Sequence, residues 1–556
     1  MALRKRRRRV VAVAALLLGA WTVTAGLFAA AGLGAAATMA LRRAGFDEAV
    51  ATVDSLGLAE GWRGLRIGVA VDFNGLAGAG AVLGVLLDGR ARLSGDLVVG
   101  LAGWAVTVTP LGCLNAKVEG LALHGEAVLL PEGAMLCAAK DAPVLRWSGD
   151  GAVVVAEILV PRLDLPAHAL RVEGLTTLLT QTPLSQAVES HAATLRRTVT
   201  PAEIAPLAVT AKAEQRTGEP WRFTGTAIAA QGLLTAALTG THDPNTGEGY
   251  ADLATKPMKL TAKGPGLKTV SPLLAGLAGP STGTLTAKAK VAWGPSGLRS
   301  GGQVRIQDGA GKFGPVAVGG VNGVVALSSL SPPVVPDGQT LSVALLDVGV
   351  PLTDGTIRFG YGRDRKLDVD EAVWRWAGGS VRADPFELSP TAPKGLVTLH
   401  ADRVDLAQIL TLVAVEGMDA TGTLSGTLPV RLSGDRVVLD GGVLEAAGNG
   451  TLRYDPAHPP PALQGEDGSP GALLLGALTD FRYDTLRLTI DGEAGGELSA
   501  GLSVRGANPS FYDGYPVSLN LKLSGALDRI LRQSLDAVRI PDMVRERMTG
   551  FDQKDP

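Results

Sequence analysis

The histidines are the first place to look for chemistry, and they are scattered: His124, His168, His191, His242, His400 and His458. None stands in HExxH or within metal-ligand spacing of a cysteine. Gly309-Ala310-Gly311-Lys312-Phe313 has the look of a phosphate loop without its spacing. Ile306 occupies the place of the first glycine, and Phe313 replaces the Ser/Thr that would hold magnesium. Gly75-Leu76-Ala77-Gly78-Ala79-Gly80 is G-x-x-G-x-G rather than the dinucleotide fingerprint, and Gly294-Pro295-Ser296-Gly297 reads as a turn rather than a nucleophile elbow. Asp364, Asp368, Asp370 and Glu371 lack EF-hand spacing and are accounted for by a solvated turn. The residues therefore argue for a protein that is not an enzyme, with no catalytic residue, no metal site and no cofactor. Cys113 and Cys137 remain. Gly125, Pro131 and Gly133 between them suggest a hairpin that sets the two on adjacent strands. An oxidising exterior would let them pair, and two unpaired buried thiols are the alternative.

The elements that must position these residues are strands. Leu486 to Asp491, Leu498 to Arg505 and Val517 to Ser524 alternate apolar and polar residues between turn signals, the mark of half-buried β-strands. Their apolar members, Leu486, Leu488, Ile490, Leu498, Leu502, Val504, Val517, Leu519, Leu521 and Leu523, form one aliphatic face. Leu428, Val430 and Leu432 repeat the phrase upstream, where Pro429 removes a ladder donor and signals an edge or a bulge. Leu285 to Trp293 and Leu65 to Asp72 read the same way. Pro183 to Arg197 has helical spacing, which places a helical insertion at about 176–213. Arg42 to Leu58 is either a short amphipathic helix or a first strand. Gly471 to Phe481 is a short apolar helix. Leu527, Ile530, Leu531 and Leu535 share one helical face after the last strand and suit partner docking or the capping of that strand.

Composition supports a β-rich globular chain: 46% hydrophobic and 19% charged residues with 73 glycines exclude a disordered chain. A formal net charge of -2 offers nucleic acid no attraction. The basic residues gather at the N-terminus instead. Arg4 to Arg9 precede Val10 to Leu41, a run without charge that exceeds the roughly 20 residues needed to span a bilayer. The cation bias puts the N-terminus in the cytoplasm and the bulk of the chain outside the membrane. A cleaved signal peptide ending at Ala35-Ala36-Ala37 is the alternative. The expected organisation is a basic tail over 1–9, a transmembrane helix over 10–33 and a repeated β-sheet over 41–455. A proline-rich loop over 456–470, a β segment over 471–525 and an amphipathic helix and tail over 526–556 follow.

Three stretches together resemble the YdbH-like branch of the AsmA-like family. They are Asp347 to Gly355 with Trp374 to Gly379, then Val415 to Val430, and then Leu478 to Asp484 with Gly506 to Pro509 and Asp513 to Leu521. The resemblance covers roughly residues 320 to 525. It implies a single-pass inner-membrane protein of a Gram-negative envelope, its bulk periplasmic. It also implies a long twisted antiparallel sheet rolled into a groove that carries phospholipid between the inner and outer membranes. The implied partners are phospholipid, the inner membrane and a small outer-membrane lipoprotein near the C-terminal end. An envelope scaffold that binds proteins rather than lipids is the competing class. An aliphatic face that is simply the dry core of β-sandwiches is the plainest account of the strands.

Overall fold

The computed structural model describes residues 29–42, 46–59, 64–74, 87–123, 126–200, 202–272, 280–313, 316–348, 350–390, 393–413, 417–434, 436–457, 469–493 and 498–524. The chain is mostly β, with antiparallel strands and a few short helices. Two compact units divide it. Unit 1 is Met1–Leu253 with Lys290–Arg299, and unit 2 is Ala254–Ala289 with Ser300–Pro556.

The strands of unit 1 that matter below are β1 (Ala49–Leu58), β2 (Gly64–Phe73), β3 (Leu87–Ala102), β4 (Ala105–Pro110), β5 (Cys113–Leu123), β6 (Ala134–Ala138) and β7 (Leu145–Ser148). They continue as β8 (Gly151–Leu165), β9 (Leu170–Gln181), β10 (Ser185–Arg197), β11 (Leu207–Arg216), β12 (Trp221–Ala229) and β13 (Leu234–His242). β1, β2 and β3 pair in sequence order. β3 is long enough to pair with β5 along one half and β4 along the other. β6 and β7 continue these two branches, and both then pair with β8. From β8 to β13 the sheet is a plain meander. Residues 29–42 form a helix laid along β1, where the Ala51 N–H donates to Thr38 Oγ1 at 2.9 Å and Arg42 Nε donates to the Ala49 carbonyl at 3.4 Å. The choice left open for Arg42 to Leu58 thus resolves as a helix end followed by a strand.

The helical insertion expected at about 176–213 is not there: the described residues of this stretch form no helix and lie in β9, β10, β11 and the connections between them. The spacing that suggested a helix is Leu184, Val188, Ala192 and Leu195. In the sheet the β10–β11 register slips between Ala192 and Leu195, so that Leu195 faces Leu207. A strand with such a slip imitates a helical stripe, and pairing on both sides overrides weak local propensity.

In unit 2 the strands used below are β14 (Leu367–Trp376), β15 (Gly379–Ala383), β16 (Lys394–Asp405), β17 (Thr423–Ser433), β18 (Arg436–Ala446), β19 (Phe481–Glu493), β20 (Leu498–Ala507) and β21 (Val517–Ser524). They pair in this order. Pro429 marks a bulge rather than an edge, because β17 has a neighbour on each side and its register with β18 shifts between Thr427 and Val430. The short helices of this unit are α1 (Leu267–Val270), α2 (Leu406–Val413) and α3 (Pro470–Leu478). α2 starts where the Asp405 carboxylate accepts from the Ala407 N–H at 2.8 Å. α3 starts at Ser469, whose side chain accepts from Ala472, with Pro470 in the first turn where its missing N–H costs nothing.

Among the described residues no helix is long and apolar enough to cross a membrane. Most of the span expected over 10–33, the basic tail, most of the 456–470 loop and the whole of 526–556 lie outside them.

Candidate functional site

In unit 1 the alternation of six strands and their registers line up three rows on one face. Val160, Leu175, Ala192, Val209, Ala227 and Ala236 stand side by side from β8 to β13. So do Ala156, Leu179, Val188, Ala213, Phe223 and Gly240. Between them run Ile158, Thr177, Ser190, Ala211, Gly225 and Leu238. The two hydroxyls in this middle row, Thr177 and Ser190, bond to each other at 3.0 Å, which leaves the face without an unmet polar group there. Leu136 and Leu114 carry the face back across β6 and β5. Apart from Ala156, Val160, Ala192 and Ala236, the aliphatic residues of these rows are half-buried and keep contact with solvent.

The opposite face is wet. Thr176, His191, Thr210 and Thr226 form one row and Leu178, Glu189, Lys212 and Thr224 another, with Lys212 Nζ 3.1 Å from both Glu189 and Glu214. Cys113 and Cys137 stand directly opposite each other on β5 and β6 and form a disulfide, with Cα atoms 4.3 Å apart. Cys137 faces Glu157, so the bridge is on the other side of the sheet from Leu136 and Ile158. Past Val160 and Leu175 the same strands turn charged, with ion pairs between neighbouring strands. Asp164 accepts from Arg162 at 2.7 Å and Arg171 at 2.6 Å, and Arg196 reaches Glu173 at 2.9 Å. The hydrogen bond from Arg162, and then that from Arg171, hold the Asp164 carboxyl below its ordinary range.

Unit 2 builds the same kind of face and closes it. One row runs Trp374, Val381, Ala401, Gly426, Leu444, Leu488, Leu502 and Leu521 across eight successive strands. Only glycine fits at 426, because a Cβ there would collide with the Val443 carbonyl. Leu486, Val504 and Leu519 form a second row, and Ile490, Ala500 and Leu523 a third. Of the residues expected on the aliphatic face, Leu428, Val430, Leu486, Leu488, Leu502, Val504 and Leu519 are all buried. Leu432, Ile490 and Val517 are half-buried against the same cluster. Leu498, Leu521 and Leu523 are placed by backbone register alone. The cluster also holds Leu406 and Ile409 of α2, Leu478 of α3, Phe481 and Tyr483. Tyr483 is fixed by its hydroxyl, which donates to the Thr421 carbonyl at 2.6 Å.

Two features of unit 2 escape sequence reasoning. Trp374 and Trp376 project from one face of β14 into the cluster, each 6% exposed, and neither ring N–H has a hydrogen-bond partner. A buried donor left so costs about 1–3 kcal/mol. The second is an apolar cavity of about 570 Å³ between α3 (Leu473, Leu474, Ala477), the Phe511–Tyr515 loop and Val517 and Leu519 of β21. Buried Asn508 ties two of its walls, donating to the Gly476 carbonyl at 3.0 Å and to Thr479 Oγ1 at 3.1 Å. Alternation reveals which residues are apolar, and only the registers reveal that these elements meet.

Gly309 to Phe313 is the end of a strand, Gly297–Phe313. Asp364 and Asp368 flank Lys366, which is bonded to Glu387 at 2.6 Å. No group of three or more His, Cys, Asp or Glu among the described residues could hold a metal ion. Leu527, Ile530, Leu531 and Leu535 lie outside the described residues.

The strands of both units repeat one aliphatic face and one more polar face. The family model for YdbH-like proteins, described as intermembrane phospholipid transport protein YdbH, matches residues 98–549. The chain is a member of that family. No curated protein and no solved structure matches it.

Proposed function

We propose that this protein carries phospholipid between the inner and outer membranes of a Gram-negative envelope along its aliphatic sheet face. In this reading the uncharged run of Val10 to Leu41 holds the chain in the inner membrane with its N-terminus cytoplasmic and the sheet periplasmic. A small outer-membrane lipoprotein receives the C-terminal end. The observation that supports the reading is the set of rows from β8 to β13. They are largely aliphatic, side by side and mostly only half-buried, whereas a dry sandwich core would be sealed. Family membership supports the same reading.

The energetic logic is simple. An acyl chain in water costs about 0.8 kcal/mol per methylene, on the order of 12 kcal/mol for a long tail. An aliphatic surface removes much of that cost at each step. The sealed cluster of unit 2 is what an envelope scaffold would also have, so the two readings need separating. Mass spectrometry of the periplasmic part purified without detergent does this. Near-stoichiometric phospholipid is the expected result, and a protein recovered free of lipid would leave the scaffold reading.

A further inference from the structure

We infer that Trp374 and Trp376 form a hydrogen-bonding station for the ester carbonyl oxygens of the transported lipid, an inference that rests on the phospholipid reading above. Both indoles lie on the same side of β14, two residues apart, in a cluster of aliphatic and other aromatic side chains. Both are more than nine-tenths buried, and both ring N–H groups lack an acceptor. Native folds rarely leave one such donor unmet, and here there are two neighbours. The Trp374 ring has room made for it: it lies over Gly355, where a Cβ would overlap the indole nitrogen.

Position adds to the case. Trp374 begins the row that continues through Val381, Ala401, Gly426, Leu444, Leu488 and Leu502 to Leu521. The turn after Trp376 is tied to the start of α2, where the Asp405 N–H donates to the Ala377 carbonyl at 2.7 Å. Leu406 and Ile409 of α2 belong to the same buried cluster as the two indoles.

The chemistry selects the ligand. The acceptor must be neutral, because an ionised phosphate would not give up its water to enter this cluster. It must also arrive attached to apolar chains. The ester carbonyl of an acyl lipid meets both demands, and it accepts from an indole N–H, which only donates.

The test compares a diacyl phosphatidylethanolamine with its dialkyl ether analogue of equal chain length, which lacks both carbonyls. The full-length wild-type protein, mixed with detergent-solubilised lipid and then freed of detergent into amphipol, should retain the diester about fivefold more than the diether for each ring N–H engaged. Trp374→Phe and Trp376→Phe keep the ring and remove the donor. Each should lower diester retention toward the diether level while the melting temperature holds or rises. Equal retention of the two lipids by wild type overturns the inference and leaves phospholipid transport standing. Variants that keep the preference also overturn it, and variants that melt lower with the preference intact show that the donors serve the fold alone. If neither variant folds, the wild-type preference decides by itself. Wild-type protein that retains neither lipid overturns both readings.

Discussion

The aliphatic faces of units 1 and 2 are written in the same alternating code and end in different states. In unit 1 the rows are rich in alanine, glycine, serine and threonine beside valine and leucine, and most of their larger members stay half-exposed. In unit 2 the rows carry leucine, valine and tryptophan, and short helices add Leu406, Ile409 and Leu478 to the cluster. Leu444 and Leu424 are 0% exposed. The difference lies in the size of the residues the strands present and in what covers them. A small-residue face forms a shallow, continuous surface without much to fill above it. A large-residue face must be closed over, since about 25 cal/mol is at stake per Å² of apolar surface.

That contrast breaks most sharply under a buried charge. Leu444→Asp should unfold unit 2, because Leu444→Ala alone is expected to cost about 2–5 kcal/mol and a carboxylate without a partner costs more. Val209→Asp, in the open rows, should leave the melting temperature of unit 1 nearly unchanged, since the carboxylate can stay hydrated. It should still cut lipid retention about a hundredfold, as about 2.5–3.5 kcal/mol at hydrocarbon depth implies. Equal losses of stability in the two variants, measured by calorimetry, would erase the distinction between an open and a closed face.

The next effect in size belongs to unit 1. Replacing Cys113 and Cys137 by serine removes a cross-link and should cost about 3 kcal/mol in denaturant unfolding, with wild type falling to the same level under reductant. No loss on reduction would mean that unit 1 is held by its sheet alone. In unit 2, Asn508→Ala frees α3 from the loop behind the apolar cavity. A local loss of about 1–3 kcal/mol should appear as faster amide exchange in Pro470–Leu478, with β14 unaffected. Uniform acceleration through the unit would show that α3 is not a separable cover.

The smallest effect concerns pH. The Asp164 carboxyl is held below its usual value by Arg162 and then Arg171. Its stabilisation is therefore complete above the unfolded value of about 3.9 and is lost as pH falls through the lower folded value. Asp164→Asn should flatten that acid limb in unit 1 melting curves and change little at neutral pH. An unchanged acid limb would remove the charge network from the margin of the open rows.

The strands themselves were legible in the sequence. Leu486 to Asp491, Leu498 to Arg505 and Val517 to Ser524 fall in β19, β20 and β21, and the apolar helix after the proline-rich loop is α3. Alternation fixes the facing of each strand, so Leu486, Leu488, Leu502, Val504 and Leu519 do share one side. What alternation cannot carry is partner and register. Trp374 and Leu488 belong to one row only because five pairings lie between them. Nor does it carry cover: the same period of two describes Val209, half-exposed, and Leu444, sealed. Ser185–Arg197 was misread because a register slip in a paired strand spaces its apolar residues as a helix would.

The side chain of Thr38 has a consequence for assembly. By occupying the outward N–H of Ala51, and with Arg42 on the Ala49 carbonyl, the helix over 29–42 takes up hydrogen-bonding capacity that an incoming strand would need. At Ala49 and Ala51 the first edge of the sheet is thereby occupied and does not offer these groups to a sister chain. Strand addition at that end of β1 is opposed by the chain's own helix. Thr38→Val, which keeps the shape and removes the oxygen, should reopen it and show as concentration-dependent association in sedimentation.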